Sequence, residues 1–187
     1  MNNQTGLNIR RLPGEMGLWI FILSDLALFG LYFALFAFDI RTDPDTFYAS
    51  QIHLDRTLGL INTLLLLTGS WAVVMGTRVE PTTAKARKYL IGAALTGIAF
   101  LVLKAVEYSH ILGAGISLTD SRFFTWYFFL TAYHGIHVAA GVVFLFYVAG
   151  RMKQPRPLKE ELTEAAGCYW HLVDLLWIGI FTIAYLL

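Results

Sequence analysis

Seven ionisable side chains lie inside long apolar stretches of this sequence: Asp25, Lys104, Glu107, His134, His137, His171 and Asp174. A charge at hydrocarbon depth costs several kcal/mol, so such groups face protein or water and find partners. Lys104 and Glu107 are three residues apart and Lys104 and Tyr108 four apart, which sets a cation, a carboxylate and a phenol on one helix face. His134 and His137 share a face, as do His171 and Asp174. Three chemistries suit such a set: hydrogen bonding across helices that fixes registry and holds lipid headgroups, proton uptake or relay, and metal ligation.

Metal ligation would start from Glu107 and His110, which have the Glu-x-x-His spacing of di-iron helical bundles, and from His134 and His137, two imidazoles on one face. A di-iron bundle needs a second Glu-x-x-His unit and two further glutamates, and the sequence lacks that second unit. With five histidines in all, one of them His53 in a loop, a histidine-rich membrane oxygenase would be short of ligands. Haem between opposed histidines stays open on counting alone. The residues by themselves therefore point to no metal or cofactor ligand in this chain. The stripe Trp170, Asp174, Trp177 and Phe181 has helical spacing and reads as packing.

Five segments are long and apolar enough to position these groups: Leu18 to Phe38, Leu58 to Thr77, Tyr89 to Leu112, Phe123 to Ala149 and Cys168 to Leu187. About 20 apolar residues in helix cross the hydrocarbon, because a helix satisfies all its backbone polar groups internally. The composition agrees, since 57% of the residues are hydrophobic and only 14% charged, more apolar side chain than a soluble domain of this size hides. The expectation is an all-α integral membrane bundle of five transmembrane helices forming one domain over residues 1–187. Turn and cap residues fill the intervening loops at residues 41–45, 80–83, 117–120 and 154–157.

Net charge is +1, which points to no nucleic-acid partner, and the lone Cys168 has no second cysteine to bridge. Arg10 and Arg11 precede the first apolar stretch as in a signal peptide, but that stretch is about 20 residues long and lacks an A-x-A site, so a retained span is expected. Arg10, Arg11, Arg78, Lys85, Arg87, Lys88, Arg151, Lys153, Arg156 and Lys159 fall on one side of a five-span topology. Arg41, Arg56 and Arg122 fall on the other, so the N-terminus should be cytoplasmic. Trp126, Tyr127 and Tyr185, near span ends, suit interfacial anchoring. Ala93, Gly97, Gly135 and Gly141 suit close helix contact.

Counting at about 1.5 Å per residue places Asp25, His137 and Asp174 in one layer on the cytoplasmic side. Lys104, Glu107 and His134 form a second layer nearer the opposite surface. No internal repeat appears, which weakens a transporter built from inverted halves.

Several stretches together resemble subunit III of the haem-copper oxidases: Met16 to Asp25 (MGLWIFILSD), Gly59 to Thr68 (GLINTLLLLT), Phe100 to Tyr108 (FLVLKAVEY), Tyr127 to Val138 (YFFLTAYHGIHV) and Tyr169 to Trp177 (YWHLVDLLW). They touch all five spans in the family's order. The resemblance implies the five-helix form of that subunit, in a bacterial cell membrane. It implies no haem or copper in this chain, haem with copper or iron in a partner catalytic subunit I, bound phospholipid, and support of sustained turnover and proton uptake. It sets Asp25 where many members carry a carbodiimide-reactive glutamate. The stretches at residues 43–51 and 104–116 look most like the homologue found with nitric oxide reductases, with a quinol or cytochrome c oxidase subunit as the near alternative. A stand-alone membrane metalloenzyme or a transporter using the same Glu, His and Asp residues is the competing expectation.

Overall fold

The apolar runs fold as helices bounded by side chains that can cap them. A computed structural model describes residues 16–79, 84–151 and 156–187, the side chains of 156–160 excepted. Its helices are α1 (Met16–Thr42), α2 (Pro44–Gln51), α3 (Arg56–Arg78), α4 (Ala84–Gly113), α5 (Arg122–Arg151) and α6 (Arg156–Phe181), which ends in a π-helical turn, Thr182–Leu186. Asp55 caps α3 by accepting from the Thr57 amide at 2.8 Å and from the Leu58 amide at 3.2 Å. Two of the donors that a helix start leaves unpaired are thereby used. No strand occurs among the described residues, and five helices are long and apolar enough to cross a membrane. The all-α, five-span expectation holds.

The boundaries differ from the sequence reading in three ways. The stretch after the first span contains a helix, α2, where a loop was expected. Asp43 caps it and Pro44 opens it, a start signal that a span-length window does not weigh. The fifth membrane helix begins at Arg156, twelve residues before Cys168, and continues through its π-helical turn to Leu186. Leu158, Lys159, Glu160, Glu161 and Leu162 are all good helix formers, so hydropathy marks where the bilayer portion lies but not where the helix starts. The other spans extend beyond the expected limits by one to five residues at each end. The loop at 80–83, the first half of that at 154–157, and Arg10, Arg11 and Lys153 lie outside the described residues.

Helices α3, α4, α5 and α6 form a ring in which α3 packs on α4, α4 on α5, α5 on α6 and α6 back on α3, while α1 lies against α5 and α6. Trp170 of α6 occupies the centre of the ring. Its indole lies against Gly69 of α3, Gly97 of α4 and Gly141 of α5, so that a Cβ on these glycines would approach it to 3.2 Å, 2.7 Å and 3.2 Å. Small residues therefore let three backbones close around one large side chain, the usual device where hydrophobic exclusion cannot drive helices together. The close contacts expected at Gly97 and Gly141 occur; Gly135 meets only Leu101, at 3.8 Å. On the outer side of α6, Gly179 receives the Phe33 ring of α1.

Candidate functional site: buried polar centres between the helices

Lys104 and Glu107 sit one turn apart on α4, and both are buried. The Lys104 ammonium donates to Glu107 Oε2 at 2.6 Å and to the Tyr185 hydroxyl at 2.7 Å, and Tyr185 donates to Glu107 Oε1 at 2.7 Å. The three groups thus close a ring of hydrogen bonds in which both carboxylate oxygens and the phenol are used. Such saturation is what makes a buried ion pair tolerable, since Coulomb attraction alone rarely repays desolvation. Trp177 adds its ring face, 4.7 Å from the ammonium, and the Tyr127 hydroxyl lies 3.4 Å from that of Tyr185. A pocket of about 160 Å³ lined by His53, Asp55, His110 and neighbouring apolar residues reaches Glu107 from the α2–α3 end of the bundle.

The second centre joins α1 to α5. His137 Nε2 lies 3.1 Å from Asp25 Oδ2, an ion-pair approach without the alignment of a hydrogen bond, while its Nδ1 lies 2.9 Å from the Tyr133 carbonyl oxygen. That carbonyl only accepts, so Nδ1 carries a proton and Nε2 is the nitrogen left to face Asp25. Phe21, Phe29 and Tyr133 rings surround His137.

The third group lies between α3 and α6. His171 Nδ1 is 2.7 Å from Ser70 Oγ, and Asp174, one turn along, lies beside both with its Oδ1 unpartnered among the described residues. The layer proposed for Asp25, His137 and Asp174 is therefore split: the first two meet across α1 and α5, whereas Asp174 faces α3. Of the other layer, Lys104 and Glu107 are joined, but His134 is wholly buried between Phe100 and Trp177, and among the described residues neither of its ring nitrogens has a hydrogen-bond partner.

Tyr185 and Tyr127, expected as interfacial anchors, are instead core residues, at 0% and 1% exposed. Position near a span end suggested the interface; a buried cation in need of a phenol explains the difference. Tyr108, the phenol expected beside Lys104, bonds Thr131 of α5. Trp126 is half-buried and donates to Asp39 at 2.7 Å. Glu107 turns inward and His110 lies exposed, so the Glu-x-x-His unit is not assembled into a site. Among the described residues no group of three or more His, Cys, Asp or Glu side chains has the arrangement of a metal site. Sequence reasoning passed over Asn62, which is fully buried with both amide atoms unpaired among the described residues, and Gln51, which donates to the Ala184 carbonyl at 3.1 Å. A search restricted to ionisable types does not find them.

The sequence model of the family described as cytochrome c oxidase subunit III matches residues 12–187. A cytochrome c oxidase subunit 3 from Thermostichus vulcanus is 29% identical, with 92% of this chain aligned to 86% of that protein. A cytochrome bo(3) ubiquinol oxidase subunit 3 from Pseudomonas aeruginosa is 26% identical, with 91% of this chain aligned to 83% of it. A haem-copper oxidase subunit I+III from Aeropyrum pernix is 30% identical across 90% of this chain, which spans 22% of that longer protein. With the family pattern running through all five membrane helices and the polar centres they enclose, the chain belongs to the cytochrome c oxidase subunit III family.

Proposed function

We propose that the chain is a non-catalytic accessory subunit of a haem-copper oxidase-type complex in a bacterial cell membrane, with its N-terminus in the cytoplasm. The carrying observation is the family match over residues 12–187, which leaves none of the five spans outside it. The relative that joins subunits I and III in one chain supports the catalytic subunit I as the neighbour. In this reading haem, with copper or iron, belongs to that neighbour, and the reduction of oxygen or nitric oxide takes place there.

The polar centres then serve the assembly. The ring of Lys104, Glu107 and Tyr185 locks α4 to the end of α6, and the Asp25–His137 pair ties α1 to α5 and holds an exchangeable proton, while phospholipid fills apolar surface between the helices. The test is to purify the complex with and without this chain. Equal haem content and equal initial rate, with faster inactivation during turnover when the chain is missing, is the expected result. Loss of haem or of the initial rate would contradict it.

A further inference from the structure

His171 is an ionisable side chain exposed on the bundle surface deep within a span. At about 1.5 Å per residue, His171 lies about 22 Å from the Leu186 end of its helix. Ser70, its partner, comes out about 12 Å from the Arg78 end of α3 by the same count. The hydrocarbon is about 30 Å thick, so both counts put the pair inside it. The exposed hydroxyls of Ser24, Thr68, Ser109 and Thr182 differ, because each donates to a carbonyl of its own helix and is satisfied facing lipid. His171 has no such outlet: its Nε2 is unpartnered among the described residues, and Asp174 beside it keeps a buried, unpartnered carboxylate oxygen. An imidazole in this setting faces protein or water rather than lipid.

The geometry points to the α3–α6 face around Ser70, His171 and Asp174 as the docking surface for a transmembrane helix of another subunit of the complex, one presenting a hydrogen-bonding side chain at the depth of His171. This rests on the accessory-subunit reading. The surrounding surface suits a helix: His171, Leu175, Ile178 and Thr182 are exposed at spacings of four, three and four residues, a single stripe along α6, with Leu67 and Trp71 exposed on α3 nearby. A polar group between two apolar stripes gives such a contact both depth and rotational register, as single interhelical hydrogen bonds do in membrane bundles.

The test places a photo-crosslinking amino acid at Leu175, on this stripe, and separately at Val143, which is 68% exposed on α5, in the chain carried by the native complex. Irradiation should join Leu175, and not Val143, to another subunit of the haem-containing complex. In parallel, His171→Leu should lower the haem retained per tagged chain by about tenfold, as for loss of one hydrogen bond to an ionisable group. The same substitution should shift unfolding of the isolated chain in detergent no more than Ser70→Ala does, since each removes the one bond between these two side chains. Adducts only from Val143, an adduct of two copies of this chain, or adducts with lipid alone, in a preparation that still contains haem, would overturn the docking face and leave the accessory reading intact. A wild-type chain that brings down no haem protein would overturn both.

Discussion

Asp25 of α1 and His137 of α5 approach to 3.1 Å with the far nitrogen of the imidazole already donating to Tyr133, so the remaining nitrogen is the one that joins the two helices. An amide in place of the carboxyl keeps its shape and can donate to Nε2. Asp25→Asn should therefore keep α1 docked but change the rate at which the complex inactivates during turnover. Asp25→Leu should also loosen α1, at a cost of about 1–3 kcal/mol for the ring nitrogen left unpartnered. Thermal unfolding in detergent and turnover time courses separate the two effects. Unchanged assembly, lipid content and inactivation in Asp25→Asn would remove any functional role from the pair.

Lys104 and Glu107 should show strong non-additivity. Removing either alone, as Lys104→Met or Glu107→Gln, strands a buried group and should destabilise the subunit by about 3–5 kcal/mol for the lysine and less for the isosteric amide. Lys104→Met with Glu107→Leu should cost well under the sum of the single apolar replacements, because the desolvation penalty disappears with the pair. A double-mutant cycle on unfolding midpoints reads this. Additive losses would mean that the ring of Lys104, Glu107 and Tyr185 contributes little as a unit.

Around Trp170 the prediction concerns space. Gly97→Ala brings a methyl to 2.7 Å from the indole and 2.6 Å from Val142. Overpacking of this kind costs about 1–3 kcal/mol. Gly135→Ala, with its nearest neighbour at 3.8 Å, and Gly92→Ala, with nothing within 4 Å, should be neutral or stabilising. Unfolding of the three variants in one detergent checks the ranking, and equal effects at 97 and 135 would contradict it.

Outside the membrane, Asp120 accepts from the Ser117 amide at 2.7 Å and from the Ser117 hydroxyl at 2.6 Å, and these bonds hold its carboxyl below the usual range. A folded value below the unfolded one means that the turn gains stability above the unfolded pKa and loses it as pH falls through the folded value. Ser117→Ala removes the hydroxyl bond, so the Asp120 midpoint should rise. Carbon-detected NMR titration of labelled aspartate measures it, and an unmoved midpoint would show that the hydroxyl bond is not maintained in solution.

How far the sequence led depends on the length scale of each signal. Twenty-residue hydropathy located every membrane helix, and helical spacing correctly joined Lys104 to Glu107. The same window missed α2, whose signal is one Asp43–Pro44 cap, and it placed the start of α6 at Cys168 because charged helix formers look like a loop to a hydropathy scale. Depth counting assigned Asp174 to the layer of Asp25 and His137, but depth carries no information on rotation about the helix axis, and rotation turns Asp174 toward α3. Tyr185 was misread for a related reason: it lies near a span end, yet it is drawn inside by Lys104 from a helix 81 residues away in sequence. Such pairings belong to tertiary structure, and no local pattern encodes them.

The accessory-subunit account is tested most directly by tagging this chain in its native membrane, purifying it gently, and recording the haem spectrum before and after the partners are stripped away. The account predicts that haem arrives with a larger partner chain and leaves with it. A chain that arrives alone and retains iron or copper after stripping would contradict it, and would turn attention to Glu107, His110, His134 and His137 as ligands.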